Sequence, residues 1–228
     1  MQSGNSLRIQ PPNQDSIAAP MRRRDHSSSF TRRHPVRVAP LYWATGIALL
    51  GTQIAVLHSF GQPLLAASGR ILFWVNNPFS PEMSQQLADW YSFSHVIHGF
   101  IFFGLLQLAA PRLPVAARLL MAMTIEIGWE IAENSPTVIQ HYREQALAAG
   151  YVGDSILNSL SDTLMMCTGF LIASRVRARY VVMIAVVFEI FTAVMIRDNL
   201  TLNIINLTAP AQWAPIQAIH NWQAGAKH

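Results

Sequence analysis

Six of the twelve carboxylates, Glu126, Glu130, Glu133, Asp154, Asp162 and Glu189, fall within or at the ends of stretches that are otherwise apolar and about as long as a membrane is thick. His95 and His98 fall in another such stretch. An ionisable side chain in hydrocarbon costs roughly 2.5–3.5 kcal/mol even on lenient insertion scales, so such groups have to face one another, water or an ion. This constrains the fold more than any local propensity. The stretches must be helices, because lipid offers no partner to an open backbone. Those helices must bundle with their polar stripes inward.

Composition agrees with a membrane protein. Hydrophobic residues make up 51% of the 228 and charged residues only 12%, where soluble domains carry about 25%. The expected fold class is all-α, a polytopic transmembrane helix bundle of about five spans with short interfacial helices. The expected spans are about Leu41–Leu57, Trp90–Ala110, Val115–Glu133, Gly153–Ala173 and Tyr180–Arg197. Residues 40–205 then form the transmembrane domain and 206–228 a periplasmic or interfacial C-terminal segment, in which Trp213 and Trp222 read as interface anchors. Residues 1–39 are rich in Pro, Ser and Arg without an apolar period, and they predict a disordered basic tail. Within that tail Met21-Arg22-Arg23-Arg24 offers a second start site besides Met1. No cleavable signal is expected, since the first apolar run begins near Leu41 and no small-residue cleavage site follows it. The single cysteine, Cys167, excludes an internal disulfide and a four-cysteine zinc site.

The basic residues orient the bundle. With the N-terminus in the cytoplasm, twelve fall inside (Arg8, Arg22, Arg23, Arg24, Arg32, Arg33, Arg37, Arg112, Arg118, Arg175, Arg177 and Arg179) and four outside (Arg70, Arg143, Arg197 and Lys227). This predicts a multi-pass protein of the bacterial inner membrane with a periplasmic C-terminus. Membrane lipids are its expected partners; anionic lipid and topology account for the basic tail, and nucleic acid is not expected. The residues name no protein partner. Two external segments carry further expectations. In residues 61–89, Ile71–Val75 is too short to span and suits an interfacial or re-entrant piece, and Ser80-Pro81-Glu82 reads as a helix start. Residues 135–149 read as a short surface helix stopped by Gly150.

At a rise of about 1.5 Å per residue, His95 and His98 lie roughly 7 and 12 Å below the outer surface, Glu130 and Glu126 about 5 and 11 Å, Asp162 about 12–13 Å and Glu189 about 12 Å. Glu126, Glu130 and Glu133 share one helix face, as do Asp154, Asn158 and Asp162, and as do Tyr91, His95 and His98. The prediction is a polar cavity in the outer half of the bundle, walled by spans two, three and four. Two imidazoles and several carboxylates are donors for zinc, iron or manganese. In this reading His95, His98, Asp154 and Asp162 are metal ligands, and Glu130 and Glu126 are catalytic, with Glu130 as the base. Blander roles stand beside it: interhelical hydrogen bonds for the histidines, helix capping for Asp154, pairing with Arg197 or another partner for Glu189, and packing or interface roles for Trp90 and Trp129. Glu126, Glu130 and Asp162 lack a basic neighbour at their depth other than the histidines, so they are protonated, bind a cation, or face charged imidazoles.

Three segments together resemble a known family: Ser94-His95-Val96-Ile97-His98-Gly99, Glu126-Ile127-Gly128-Trp129-Glu130-Ile131-Ala132-Glu133-Asn134-Ser135, and Tyr151-Val152-Gly153-Asp154-Ser155-Ile156-Leu157-Asn158-Ser159-Leu160-Ser161-Asp162. The chain is similar over residues 40–205 to an uncharacterised family of integral membrane proteins of unknown function from alphaproteobacteria, which implies an inner-membrane location and no activity. A weaker similarity is to VanZ-like membrane proteins, whose outline of an acidic helix, a Gly-Asp motif and a further Asp or Asn is fitted by Glu126, Glu130, Gly153, Asp154, Asn158, Asp162 and Gly169, although their Gly-Arg-x-x-Asp form is absent because Gly153 is followed directly by Asp154. Three functions fit these residues: a metal-dependent hydrolase or transferase on a lipid-type substrate, a proton or cation transporter, or a non-catalytic envelope or assembly factor. The apolar inner halves of spans three and four, Leu119–Ile125 and Leu164–Ala173, speak against a continuous transport path.

Overall fold

The computed structural model describes residues 40–143, 150–210 and 212–225. The expected basic tail and its two start sites lie outside the described residues, as do 144–149 and Lys227. Every regular element among the described residues is helical: α1 (Pro40–Ser59), α2 (Ser92–Ala109), α3 (Val115–Glu133), α4 (Pro136–Arg143), α5 (Ile156–Ala173), α6 (Ala178–Ile196), α7 (Leu200–Thr208) and α8 (Ala214–Ala224).

Four of these, α1, α2, α5 and α6, are long and apolar enough to cross a membrane. The fifth expected span, α3, has 19 residues but carries Arg118, Glu126, Glu130 and Glu133. It packs against α1, α2 and α5 and buries Arg118, Glu126 and Glu130 among them. Arg118 donates to the Gln107 side chain and lies over the Phe103 ring at 5.5 Å. On α6 the apolar residues Val182, Met183, Val186, Val187, Ile190 and Val194 face outward, as lipid-facing residues do when hydrocarbon is the solvent.

The bundle is asymmetric end to end. Residues 110–114 and 174–177 make tight connections at one end, while residues 60–91, 134–143, 150–155 and 197–199, with α7 and α8, lie at the other. The tight end is filled by Leu106, Ala122, Met123, Met166 and Phe170. The polar residues collect at the open end. Between the two ends α2 crosses α5 with backbones nearly touching, since a Cβ on Gly99 would overlap the Met166 carbonyl oxygen and one on Gly169 the Val96 carbonyl oxygen.

The segment before α2 departs from expectation. Ser80-Pro81-Glu82 starts no helix: Asn77 and Ser80 side chains accept from the backbone N–H groups of Phe79 and Glu82, and the chain makes turns instead. Ile71–Val75 is not helical; Leu87 N–H donates to the Leu72 carbonyl (3.2 Å) and Val75 N–H to that of Ala88 (2.9 Å). This segment also caps α5. Ile156 and Leu157 donate their N–H groups to the carbonyls of Pro63 and Leu64 at 2.8 and 3.2 Å, and the Ser155 hydroxyl accepts from Asn158 N–H. The orphan donors of a helix start are met by a remote loop as well as by a local cap. Helix α4 realises the first half of the expected surface helix, with Ser135 Oγ accepting from Val138 N–H. Helix α7 runs through the expected boundary at residue 205, and Trp213 and Trp222 are both exposed.

Gly169→Ala should therefore destabilise the protein by about 1–3 kcal/mol through overpacking at the α2–α5 crossing. Gly104→Ala, where nothing lies within 4 Å of the new Cβ, should be neutral or better. Unfolding of both variants in detergent checks the contrast.

Candidate functional site

Helices α2, α3 and α5 bring five of the six predicted site residues into one buried cluster. His95 and His98 stand about one turn apart on α2, Glu126 and Glu130 one turn apart on α3, and Asp162 two turns into α5. Glu126 is fully buried, and its carboxylate sits between the imidazoles: His95 Nδ1 lies 2.6 Å from Oε1 and His98 Nδ1 lies 3.0 Å from Oε2. A carboxylate can only accept, so each ring carries its hydrogen on Nδ1. The Nε2 of His95 is then turned to Asp162, whose Oδ2 lies 3.8 Å away. A lone pair facing a carboxylate at that separation calls for a proton or a metal ion between them. Ser92 Oγ holds the other oxygen of Asp162 at 3.3 Å.

Glu130 is the anomaly. It is 1% exposed, and neither carboxylate oxygen has a hydrogen-bond partner. Its nearest approach to a base is 3.5 Å, from Oε1 to His95 Nδ1. Leaving a buried carboxyl group unpaired costs more than leaving one unburied, so the position asks for a ligand or a proton. Two sets of three residues could hold a metal ion, His95–His98–Glu126 and His95–Glu130–Asp162, each with donor atoms within 4.8 Å of one another.

A cavity of about 320 Å3 opens beside this cluster. His95 and Asp162 line it, with Tyr91, Glu133, Tyr142, Tyr151, Asp154, Asn158 and Asp198 around them. Its exposed lining residues include Phe79, Pro81 and Val152. The cavity is thus polar at depth and apolar at its rim. Asp154, two residues ahead of α5, accepts from Asn134 Nδ2 at 2.7 Å and from the Tyr151 hydroxyl at 2.8 Å. Asp198, just after α6, accepts from the Tyr91 hydroxyl at 2.9 Å, from Gln223 Nε2 at 3.2 Å and from Asn199 N–H at 3.0 Å. Burial pushes the carboxyl groups of both Asp154 and Asp198 up to about 6, against the pull of these donors. Gly153 turns at φ +93° to deliver Asp154, and any side chain there would overlap that of Gln62.

The sixth predicted residue, Asp154, lines the cavity but belongs to neither set of three. Its expected capping role falls to Ser155, because Asp154 is drawn to Asn134 and Tyr151. Glu189 does not pair with Arg197. Its two oxygens accept from the N–H groups of Leu200 and Thr201 at the start of α7, both at 3.1 Å, while Arg197 donates to the Trp222 carbonyl. Trp90 packs with Trp74, Phe93 and Phe191, and Trp129 packs edge-on to His98. Asp198, Tyr142, Tyr151 and residues 78–85 were not expected in the cavity wall. They lie outside the apolar stretches, where depth arithmetic has nothing to measure. The one available signal was the placement of Asp198 at the same outer end as Tyr91.

Comparison with known proteins identifies relatives. The family model "Protein of unknown function (DUF2585)" matches residues 57–225. A UPF0314 protein from Rhizobium etli (strain CIAT 652) is 45% identical over 198 residues, covering 87% of this chain and 99% of that protein. A UPF0314 protein from Sphingopyxis alaskensis is 46% identical over 183 residues, covering 80% and 95%. One from Paracoccus denitrificans is 42% identical over 195 residues, covering 86% and 95%. No solved structure matches the chain.

The raised Asp198 carboxyl has a pH signature. The folded chain holds this proton more tightly than the unfolded one, so the stability it contributes is complete below the ordinary value of 3.8 and is lost as pH rises through about 6. Between pH 4 and 7 the wild type should lose on the order of 3 kcal/mol more stability than Asp198→Asn, at about 1.4 kcal/mol for each pH unit of displacement. Denaturant unfolding of both proteins across that range measures the difference.

Proposed function

We propose that this chain, which belongs to the DUF2585 family of unknown function, is a membrane-embedded, metal-dependent hydrolase or transferase acting on a lipid-type substrate. The unpaired, fully buried Glu130 beside His95 and Asp162 carries the reading. One imidazole and two carboxylates are a fitting donor set for zinc, iron or manganese. Cys167, the lone soft donor, lies elsewhere on α5. When bound, such an ion supplies an activated water and polarises a carbonyl or phosphoryl oxygen.

In this reading His95, Glu130 and Asp162 hold the ion. Glu130 thereby moves from the base of the sequence expectation to a ligand, because it has no other partner. Glu126 holds His95 through Nδ1 and fixes its tautomer, as carboxylates behind metal-bound histidines do. His98 shares Glu126 and keeps its second oxygen engaged. Ser92 orients Asp162. The lipid-type substrate is supported by the cavity, whose exposed Phe79, Pro81 and Val152 suit an acyl chain and whose buried acids and tyrosines suit a polar head. The arginine count puts this end on the periplasmic side of the inner membrane. Transport is the weaker reading, since Leu106, Ala122, Met123, Met166 and Phe170 fill the bundle beyond the cluster.

Elemental analysis of protein purified without chelator, and again after loading with zinc, manganese or iron, should find one ion per chain in the wild type. Glu130→Gln and Asp162→Asn should lose it, and Glu126→Gln should bind about 10–100-fold more weakly. A folded wild type that takes up none of the three metals would overturn the proposal and leave the cluster as a protonated joint between helices.

A further inference from the structure

Once His95, Glu130 and Asp162 are assigned to an ion, three carboxylates of the same cavity remain: Glu133, Asp154 and Asp198. No Lys or Arg is among the lining residues. Every hydrogen-bond donor to Asp154 and Asp198 named above is neutral: an amide, a hydroxyl or a backbone N–H. Arg143 and Arg197, in the surrounding segments, donate to the carbonyls of Tyr151 and Trp222 instead. Neutral donors hold a buried carboxylate in place but leave its charge uncompensated.

A second small metal ion does not answer this charge. Among the described residues only the two sets containing His95 converge closely enough to share one, and neither includes Glu133, Asp154 or Asp198. These three are instead spread around a volume of about 320 Å3, in whose wall the rings of Tyr142 and Tyr151 meet edge-on at 5.6 Å. Dispersed carboxylates and aromatic rings suit a large, diffuse cation. The unpartnered Glu130, 1% exposed, has an oxygen within 4.8 Å of donor atoms of His95 and Asp162, which line the cavity. The apolar rim at Phe79, Pro81 and Val152 gives the ligand's other end.

We infer that the cavity takes an ammonium group, with Glu133, Asp154 and Asp198 as its countercharges, and that the substrate is an amphiphile bearing that group at its polar end. This rests on the proposed reading of the site and names its substrate class.

The test uses the full chain in a maltoside detergent, metal-loaded, with calorimetry and the unfolding temperature as readouts. Choline is titrated against 3,3-dimethylbutan-1-ol, its uncharged isostere. Choline should bind at least about tenfold more tightly, the worth of one charge-assisted contact. Asp154→Asn and Asp198→Asn should each cut choline binding by about as much while the metal content stays at the wild-type level. A lysophospholipid with a choline head that binds more tightly than free choline supports a lipid source. Equal binding of the two keeps the ammonium site and assigns it to a soluble amine. Equal binding of choline and its isostere to the wild type overturns the inference, a comparison that needs no variant to fold. So does choline binding that both substitutions leave unchanged. Metal content is read separately: a metal-loaded protein blind to the charge sinks this inference alone, and ammonium selectivity without metal sinks the metal reading alone.

Discussion

The Glu126 carboxylate, buried to 0% exposure between two imidazoles, is the interaction on which the open end of this bundle depends. It joins α2 to α3 through both of its oxygens, and it settles which nitrogen of His95 is left for the cavity. Removing one partner of such a trio would leave an uncompensated buried group, which is far costlier than the trio itself is stabilising. The close crossing of α2 and α5 completes the arrangement. Without a Cβ at Gly99 and Gly169 the two backbones come together, and Asp162 reaches the far side of His95. Two helix contacts of opposite chemistry, one polar and one purely steric, thus converge on a single ring.

The bundle divides its labour by depth. The tight-loop half is apolar apart from the Arg118–Gln107 pair and is closed by Met166 and Phe170, both fully buried. The other half carries the buried acids, histidines and amides, and it also carries every long connection. Those connections do more than join helices. Asn134, in the turn after α3, donates to Asp154 and accepts its N–H at 2.6 Å. Asp198, after α6, holds Tyr91 at the head of α2 and Gln223 in α8. The cavity wall therefore joins loop side chains such as Asp154 and Asp198 to helical ones such as His95, Tyr142, Asn158 and Asp162.

The helices were legible in the sequence because hydrocarbon leaves the backbone one solution. Expected α3 coincides with the observed Val115–Glu133, and the others agree to within a few residues. The cluster was legible for a related reason: rise per residue converts position into depth, and His95, His98, Glu126, Glu130 and Asp162 were at matching depths on inward faces. What rise and periodicity do not carry is the geometry of the chain outside the helices. Asp154 read as a cap because it follows a glycine at a helix start, yet Ser155 is the cap. Glu189 read as pairing with Arg197 or with a partner not evident from the sequence, and its oxygens reach the N–H groups that open α7. In both cases a backbone turn redirected the side chain, and turns of this kind are decided by contacts remote in sequence.

The capping of α5 by Pro63 and Leu64 orders events in time. Those two carbonyls leave the ribosome more than a helix pair ahead of Ile156 and Leu157, their eventual donors. Until α5 is made, those carbonyls lack the donors that they meet in the folded chain. A nascent chain that ends after α3 already owns the Glu126 trio. It has neither Asp162 nor a docked loop to wall the cavity. The pocket is thus among the last features of this protein to come into being, assembled when a late helix collects an early loop.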